Sequence, residues 1–217
     1  MAKPDTSTLE ATVAAALERF NAKHEARELA LAAARAIIRS SANAIRAVHR
    51  EEFERARRLF AEAQQLNAEM REALALHPDL YYAGFVHDAQ KELAEAAATL
   101  ALATGAPLPT PEEVGVELPA YLNGLGEAIG EARRMILDRL RRGAIEGCEE
   151  LLRAMDDIYA GLVLFDFPEP LTGNLRRTVD NARGILERTR GDLTMAVVQH
   201  RAVESIRSSN PSDPPPA

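Results

Sequence analysis

Residues 80–96 read LYYAGFVHDAQKELAEA, and residues 116–134 read VELPAYLNGLGEAIGEARR. Both stretches are rich in Ala and, beyond Pro119, free of Pro, so each reads as helix. The first carries Glu92 and Glu95, three apart; the second carries Glu127 and Glu131, four apart. At those spacings both carboxylates of a pair project from one helix surface. Like charges so placed weaken a helix unless solvent screens them or a cation joins them. In a chain with 33 acidic residues most such pairs are a solvated face. Two pairs on helices able to pack together nonetheless outline a candidate cage of hard oxygen ligands, suited to Mg²⁺ or Mn²⁺ rather than zinc. Asp88, four before Glu92, is within reach of the cage but reads by itself as surface.

Working outward, the prolines divide the chain. None lies between Pro4 and Pro78, Pro78 and Pro107, Pro119 and Pro168, or Pro170 and Pro211, and these intervals are helical territory. The first is too long for one ordinary helix and is expected to break near His49 to Glu52, with a second helix from about Phe53 to Leu76. A third carries Glu92 and Glu95 and ends near Gly105. A short turn capped by Thr110 and opened by Pro111 precedes a helix from about Leu118 to Leu140. After a break at Gly143 a helix runs to about Leu164, and a last one opens at Thr172 or Asn174 and ends by Arg207. No strand-like alternation, phosphate-binding glycine loop or repeat is visible. The expected fold is all-α, one domain of about seven helices over residues 1–207, with a disordered Pro-rich tail at 208–217.

Composition agrees with a helical core. Of 217 residues, 47% are hydrophobic but only 5% aromatic, with no Trp, so the core is built from Ala, Leu, Ile and Val. One cysteine, Cys148, excludes an internal disulfide and a Cys-rich zinc site and suits a reducing cytoplasm. No signal-like or membrane-length apolar run is present, so no membrane partner is expected. A net charge of −7 argues against a protein that coats nucleic acid with its whole surface, but not against a local basic zone.

Such a zone is legible near the start. At about 100° per residue, Arg35, Arg39, Arg46 and Arg50 fall within roughly a 60° arc, with His49 beside them and Ile37, Ile38, Ile45 and Val48 opposite. A guanidinium stripe suits a phosphate backbone, although an amphipathic helix in an Arg-rich chain also simply turns Arg to water. Tyr81, Tyr82 and Tyr121 could stack on bases but more often such side chains fill helix seams. A di-iron bundle would need Glu-x-x-His pairs, and none of the five histidines has Glu three before it. Neither Cys148 nor the histidines have a spacing that supports a catalytic role.

The two acidic stretches, together with ARAIIRSSANAIRAVHR at 34–50 and FDFPEPLTGNLRRTVDNARGILERTRGDLT at 165–194, resemble the translin family over most of the chain. The likeness is closest to its catalytic member, the translin-associated factor X type, and in the last block to the archaeal or prokaryotic branch. In that member a Glu pair three apart, and an Asp and Glu four apart, form the nuclease site. Carried over, these fall on Glu92, Glu95, Glu127 and Glu131, with Glu127 where the family pattern has Asp. The resemblance therefore implies a Mg²⁺- or Mn²⁺-dependent endoribonuclease in which these four are metal ligands and catalytic residues. It assigns Arg35, Arg39, Arg46 and Arg50 to single-stranded RNA, with single-stranded DNA a second ligand, and makes Arg134 a candidate for the scissile phosphate unless it pairs with Asp138. It also implies assembly with itself into a closed shell, a homo-octamer; Arg176, Arg177 and Arg183, in the last block, serve either nucleic acid or subunit contacts, and the sequence does not separate the two. The alternative is a translin-like assembly that holds nucleic acid without cutting it.

Overall fold

The computed structural model describes residues 7–209, and among these there are nine helices and no strand. They are α1 (Ser7–His49), α2 (Phe53–Ala73), α3 (Pro78–Tyr81), α4 (Gly84–Thr104), α5 (Pro111–Val114), α6 (Leu118–Arg141), α7 (Cys148–Val163), α8 (Glu169–Thr172) and α9 (Leu175–Ser209). The expectation of about seven misses α3 and α8. Each is a single turn with Pro among its first two residues, too short to show periodicity. The expected tail lies, from residue 210 onward, outside the described residues.

The break after α1 has a specific cause. Glu52 N–H bonds the Ala47 carbonyl at 2.9 Å and Glu51 N–H bonds that of Val48 at 2.8 Å, the paired bonds of a Schellman stop. Its left-handed residue is Glu51, at φ 61°, rather than glycine. The stop makes His49 the last residue of α1 and turns the chain back into α2. Gly105, at φ 68°, ends α4 in a similar way. Thr110 and Glu113 close a capping box around α5.

α4 is the buried helix. It packs against α1 on one side and α6 on the other, and α2 also touches it. Six of its ten buried residues are alanine, among them Ala89, Ala94, Ala96, Ala97 and Ala98, so neighbouring backbones approach closely. One apolar cluster joins α1, α2, α4 and α5 through Ile37, Met70, Leu93 and Val114. A second joins α6, α7 and α9 through Ile136, Met155 and Leu186, and Tyr121 touches both. Buried polar groups lock the frame: Asn123 donates to the Pro119 and Thr172 carbonyls, both at 2.8 Å, and accepts from Thr178 Oγ1 at 2.6 Å.

α1 is 43 residues long against 21 for α2, roughly 64 Å against roughly 31 Å at 1.5 Å per residue. Its first turns therefore project past their partner, leaving Leu9, Val13, Leu17 and Phe20 exposed on one stripe. Met195, Val198 and Ile206 are likewise exposed on the far part of α9. No described helix is long and apolar enough to cross a membrane.

Candidate functional site: a carboxylate cluster between α4 and α6

The site begins with a glycine. A Cβ on Gly124 would lie 2.6 Å from Ala94 Cβ, 2.7 Å from the Lys91 carbonyl oxygen and 2.8 Å from the Glu95 amide nitrogen. Only a residue without a side chain lets α6 lie this tightly on α4. Glu127 follows Gly124 by three residues, about one turn, and so comes to face Glu92 and Glu95. These three carboxyl groups each place an oxygen within 4.8 Å of the others.

Glu131, one turn further along α6, is not in that group. Its Oε2 accepts from His49 Nε2, and Arg134 Nη1 lies 3.8 Å from the same oxygen. The expected four-carboxylate set thus divides into three together and one held by α1. Asp88 is exposed and outside the cluster, as its surface reading anticipates. Arg134 pairs with Glu131, whereas Asp138 is engaged by Arg141 at 3.1 Å.

Two residues of the site have no counterpart among the candidate site residues read from the sequence. Lys91 Nζ donates to Glu127 Oε1 at 2.7 Å and lies 3.8 Å from Glu92 Oε1. A signal for it exists in the composition: of 26 basic residues only Lys3, Lys23 and Lys91 are lysine. His49 has no local spacing that marks it, because its partner is 82 positions away.

The electrostatics follow the packing. Burial, reinforced by Glu127, Glu92 and Glu131, pushes the Glu95 carboxyl up to about 8. Burial also raises Glu92, with Lys91 opposing and Glu127 and Asp88 adding to the rise. Glu131 is held below the ordinary carboxylate value by the His49 hydrogen bond, against the effect of burial. For Lys91, burial disfavours the charged form, but the hydrogen bond and charge of Glu127, together with the charges of Glu92 and Asp88, outweigh it and leave the ammonium above its usual value.

The donor set fits a small divalent ion. An octahedral Mg²⁺ at about 2.1 Å from each oxygen has ligand oxygens about 3 Å apart when adjacent and about 4.2 Å apart when opposite. Oxygens within 4.8 Å of one another reach that geometry by side-chain rotation that closes an adjacent pair by at most about 1.8 Å.

The arginine stripe borders this site. Arg35, Arg39, Arg46 and Arg50 are exposed, and Arg46 bonds only its neighbour Asn43, at 2.5 Å. No ion pair engages Arg35, Arg39 or Arg50 among the described residues. His49 is about 60° from Arg46 around the helix axis, so the bond to Glu131 sets the stripe's C-terminal end beside the carboxylates. Tyr81 and Tyr121 fill seams, donating to Glu117 at 2.6 Å and to the Pro109 carbonyl at 2.7 Å, whereas Tyr82 is exposed. A cavity of about 970 Å³ lies elsewhere, between α7, α8 and α9 around Phe165 and Arg176.

No family model matches the chain. A protein of Methanocaldococcus jannaschii, MJ0175, itself uncharacterized, is 29% identical over 191 residues, 85% of this chain and 82% of that one. Among solved structures the fold is similar to the crystal structure of AfC3PO, with a TM-score of 0.80 and 33% identity over 87% of this chain and 98% of that one. AfC3PO in complex with duplex RNA matches with the same TM-score and identity, over 87% and 97%. Apo-NeC3PO shares the fold at 21% identity, with a TM-score of 0.75 over 90% and 99%. An all-helical chain that matches AfC3PO at this identity over nearly the whole of that protein belongs to the translin family.

Proposed function

We propose that this protein is a metal-dependent endoribonuclease whose site is the carboxylate cluster between α4 and α6. The observation that carries the reading is the convergence of Glu92, Glu95 and Glu127, oxygens within 4.8 Å, at the Gly124 crossing. Glu92, Glu95 and Glu127 would hold Mg²⁺ or Mn²⁺. When bound, such an ion lowers the pKa of a water and offsets charge developing on a phosphate. Glu131, oriented by His49, would complete the set from the ion's outer side, and Arg134 would meet the phosphate from the exposed flank.

The arginines of α1 supply the nucleic-acid surface in this reading. Arg35, Arg39 and Arg50 are exposed and have no acidic partner among the described residues, a stripe leading toward the carboxylates. AfC3PO has been solved with duplex RNA, which supports RNA as the ligand class. Single-stranded RNA as substrate, and single-stranded DNA as a further ligand, follow the sequence resemblance. Self-association into a closed shell, a homo-octamer, is supported by the projecting apolar stripes of α1 and α9, which a monomer leaves in water. The composition suits action in the cytoplasm.

Incubation of end-labelled single-stranded and duplex RNA with the purified chain, with Mg²⁺ and with excess chelator, tests the reading. Internal cleavage that requires the ion supports it. Retention of RNA without cleavage in any divalent ion would leave a non-catalytic RNA-binding assembly in its place.

A further inference from the structure

We propose that Lys91 is a resident counter-cation of the carboxylate cluster, which a divalent ion must displace to bind, so that Lys91 sets the metal affinity of the site. The proposal rests on the metal-site reading above and adds a residue and a direction to it.

Lys91 Nζ is 2.7 Å from Glu127 Oε1 and 3.8 Å from Glu92 Oε1, so both its acidic contacts are members of the three-carboxylate group. Its side chain is only 22% exposed, which leaves the ammonium inside the cluster rather than in bulk water. An ion ligated by that Glu127 oxygen at about 2.1 Å would lie within about 5 Å of Nζ. Two cations that close in a partly buried site repel strongly, and they compete for the same lone pairs. An ion on that oxygen therefore meets the full charge of the ammonium, and its binding is opposed until Lys91 swings away.

The residue type suits displacement. The chain meets nearly all its need for positive charge with arginine, yet one of its three lysines stands here. Arginine would grip a carboxylate through a rigid two-pronged fork, whereas an ammonium on four flexible carbons lets go by rotation. Without it, three carboxylates would face one another across the α4–α6 crossing. Lys91 thus stabilises the metal-free fold and weakens metal binding by the same contact.

The test is calorimetric titration of Mn²⁺ into the metal-free full chain, comparing the parent with Lys91→Met, Lys91→Gln and Lys91→Arg. Loss of the charge is expected to tighten Mn²⁺ binding about tenfold or more, while Lys91→Arg binds no tighter than the parent. Met and Gln differ in polarity, so agreement between them separates charge from packing. If the parent binds Mn²⁺ and both neutral variants bind it equally or more weakly, the counter-cation role is overturned while the metal site stands. If neither the parent nor any variant binds Mn²⁺, the metal-site reading falls and this inference with it.

Discussion

Gly124 lies so close to Glu95 that a single added carbon would come within 2.8 Å of the Glu95 amide nitrogen. The same carbon would press on the Lys91 carbonyl at 2.7 Å, and backbone cannot swing aside as a side chain can. Gly124→Ala must therefore push α6 away from α4. Overpacking of this kind costs about 1–3 kcal/mol, or roughly 3–10 °C in melting temperature for a chain of this size. The same displacement carries Glu127 away from Glu92 and Glu95, so Mn²⁺ affinity should fall with it. A Gly124→Ala protein with parental melting temperature and Mn²⁺ affinity would show that the crossing does not build the site.

Glu95 predicts a pH-dependent stability. An unfolded-chain glutamate loses its proton near 4.5, whereas the folded Glu95 carboxyl keeps its proton to about 8. Below 4.5 both states are protonated and the group is neutral to stability. Between 4.5 and 8 the unfolded state alone gives up its proton, so stability is lost as pH rises through that window, by an amount on the order of a few kcal/mol. Glu95→Gln should accordingly be more stable than the parent at pH 8 in chelator, with the gap closing toward pH 5. Urea unfolding at the two pH values measures it, and an equal gap at both would show that Glu95 is not held protonated.

The helical fold was legible because Pro and Gly punctuate it: Pro78, Pro111, Pro119, Gly105 and Gly143 all stand at element boundaries. The one-turn helices α3 and α8 were not, since four residues carry no period. Spacing placed Glu92 with Glu95 and Glu127 with Glu131, because each pair sits on one helix. It could not say how the pairs meet. That is decided by Gly124, whose close approach to α4 is tertiary, and by His49, which reaches across 82 positions to take Glu131 out of the cluster. Lys91 was hidden differently, as a lysine on an acidic helix that looks like an ordinary surface ion pair until its half-buried position is known.

The α1 stripe gives a salt-dependent prediction. Arginines that neutralise phosphates release counterions, so the logarithm of affinity for single-stranded RNA should fall with the logarithm of salt by about 0.7 per phosphate contacted. Replacing Arg35, Arg39 and Arg46 together by Ala should weaken binding and flatten that slope by roughly 2 units. These side chains are exposed, so folding should be unaffected. Unchanged affinity and slope in filter binding across a salt series would reduce the stripe to a solvated face.

The central claim is that the carboxylates joined across α4 and α6 cut RNA, and the direct measurement is single-turnover cleavage by Glu127→Gln beside the parent at saturating Mg²⁺. Glutamine keeps the size and an acceptor oxygen but removes the ligand charge. Metal-assisted charge stabilisation is worth several kcal/mol and each 1.4 kcal/mol is about tenfold in rate, so cleavage should fall by two or more orders of magnitude. RNA affinity should persist or rise, because a negative charge facing the phosphates is gone. Cleavage by Glu127→Gln at the parental rate would contradict the account, leaving Glu92, Glu95 and Glu127 as a structural cluster without a catalytic role.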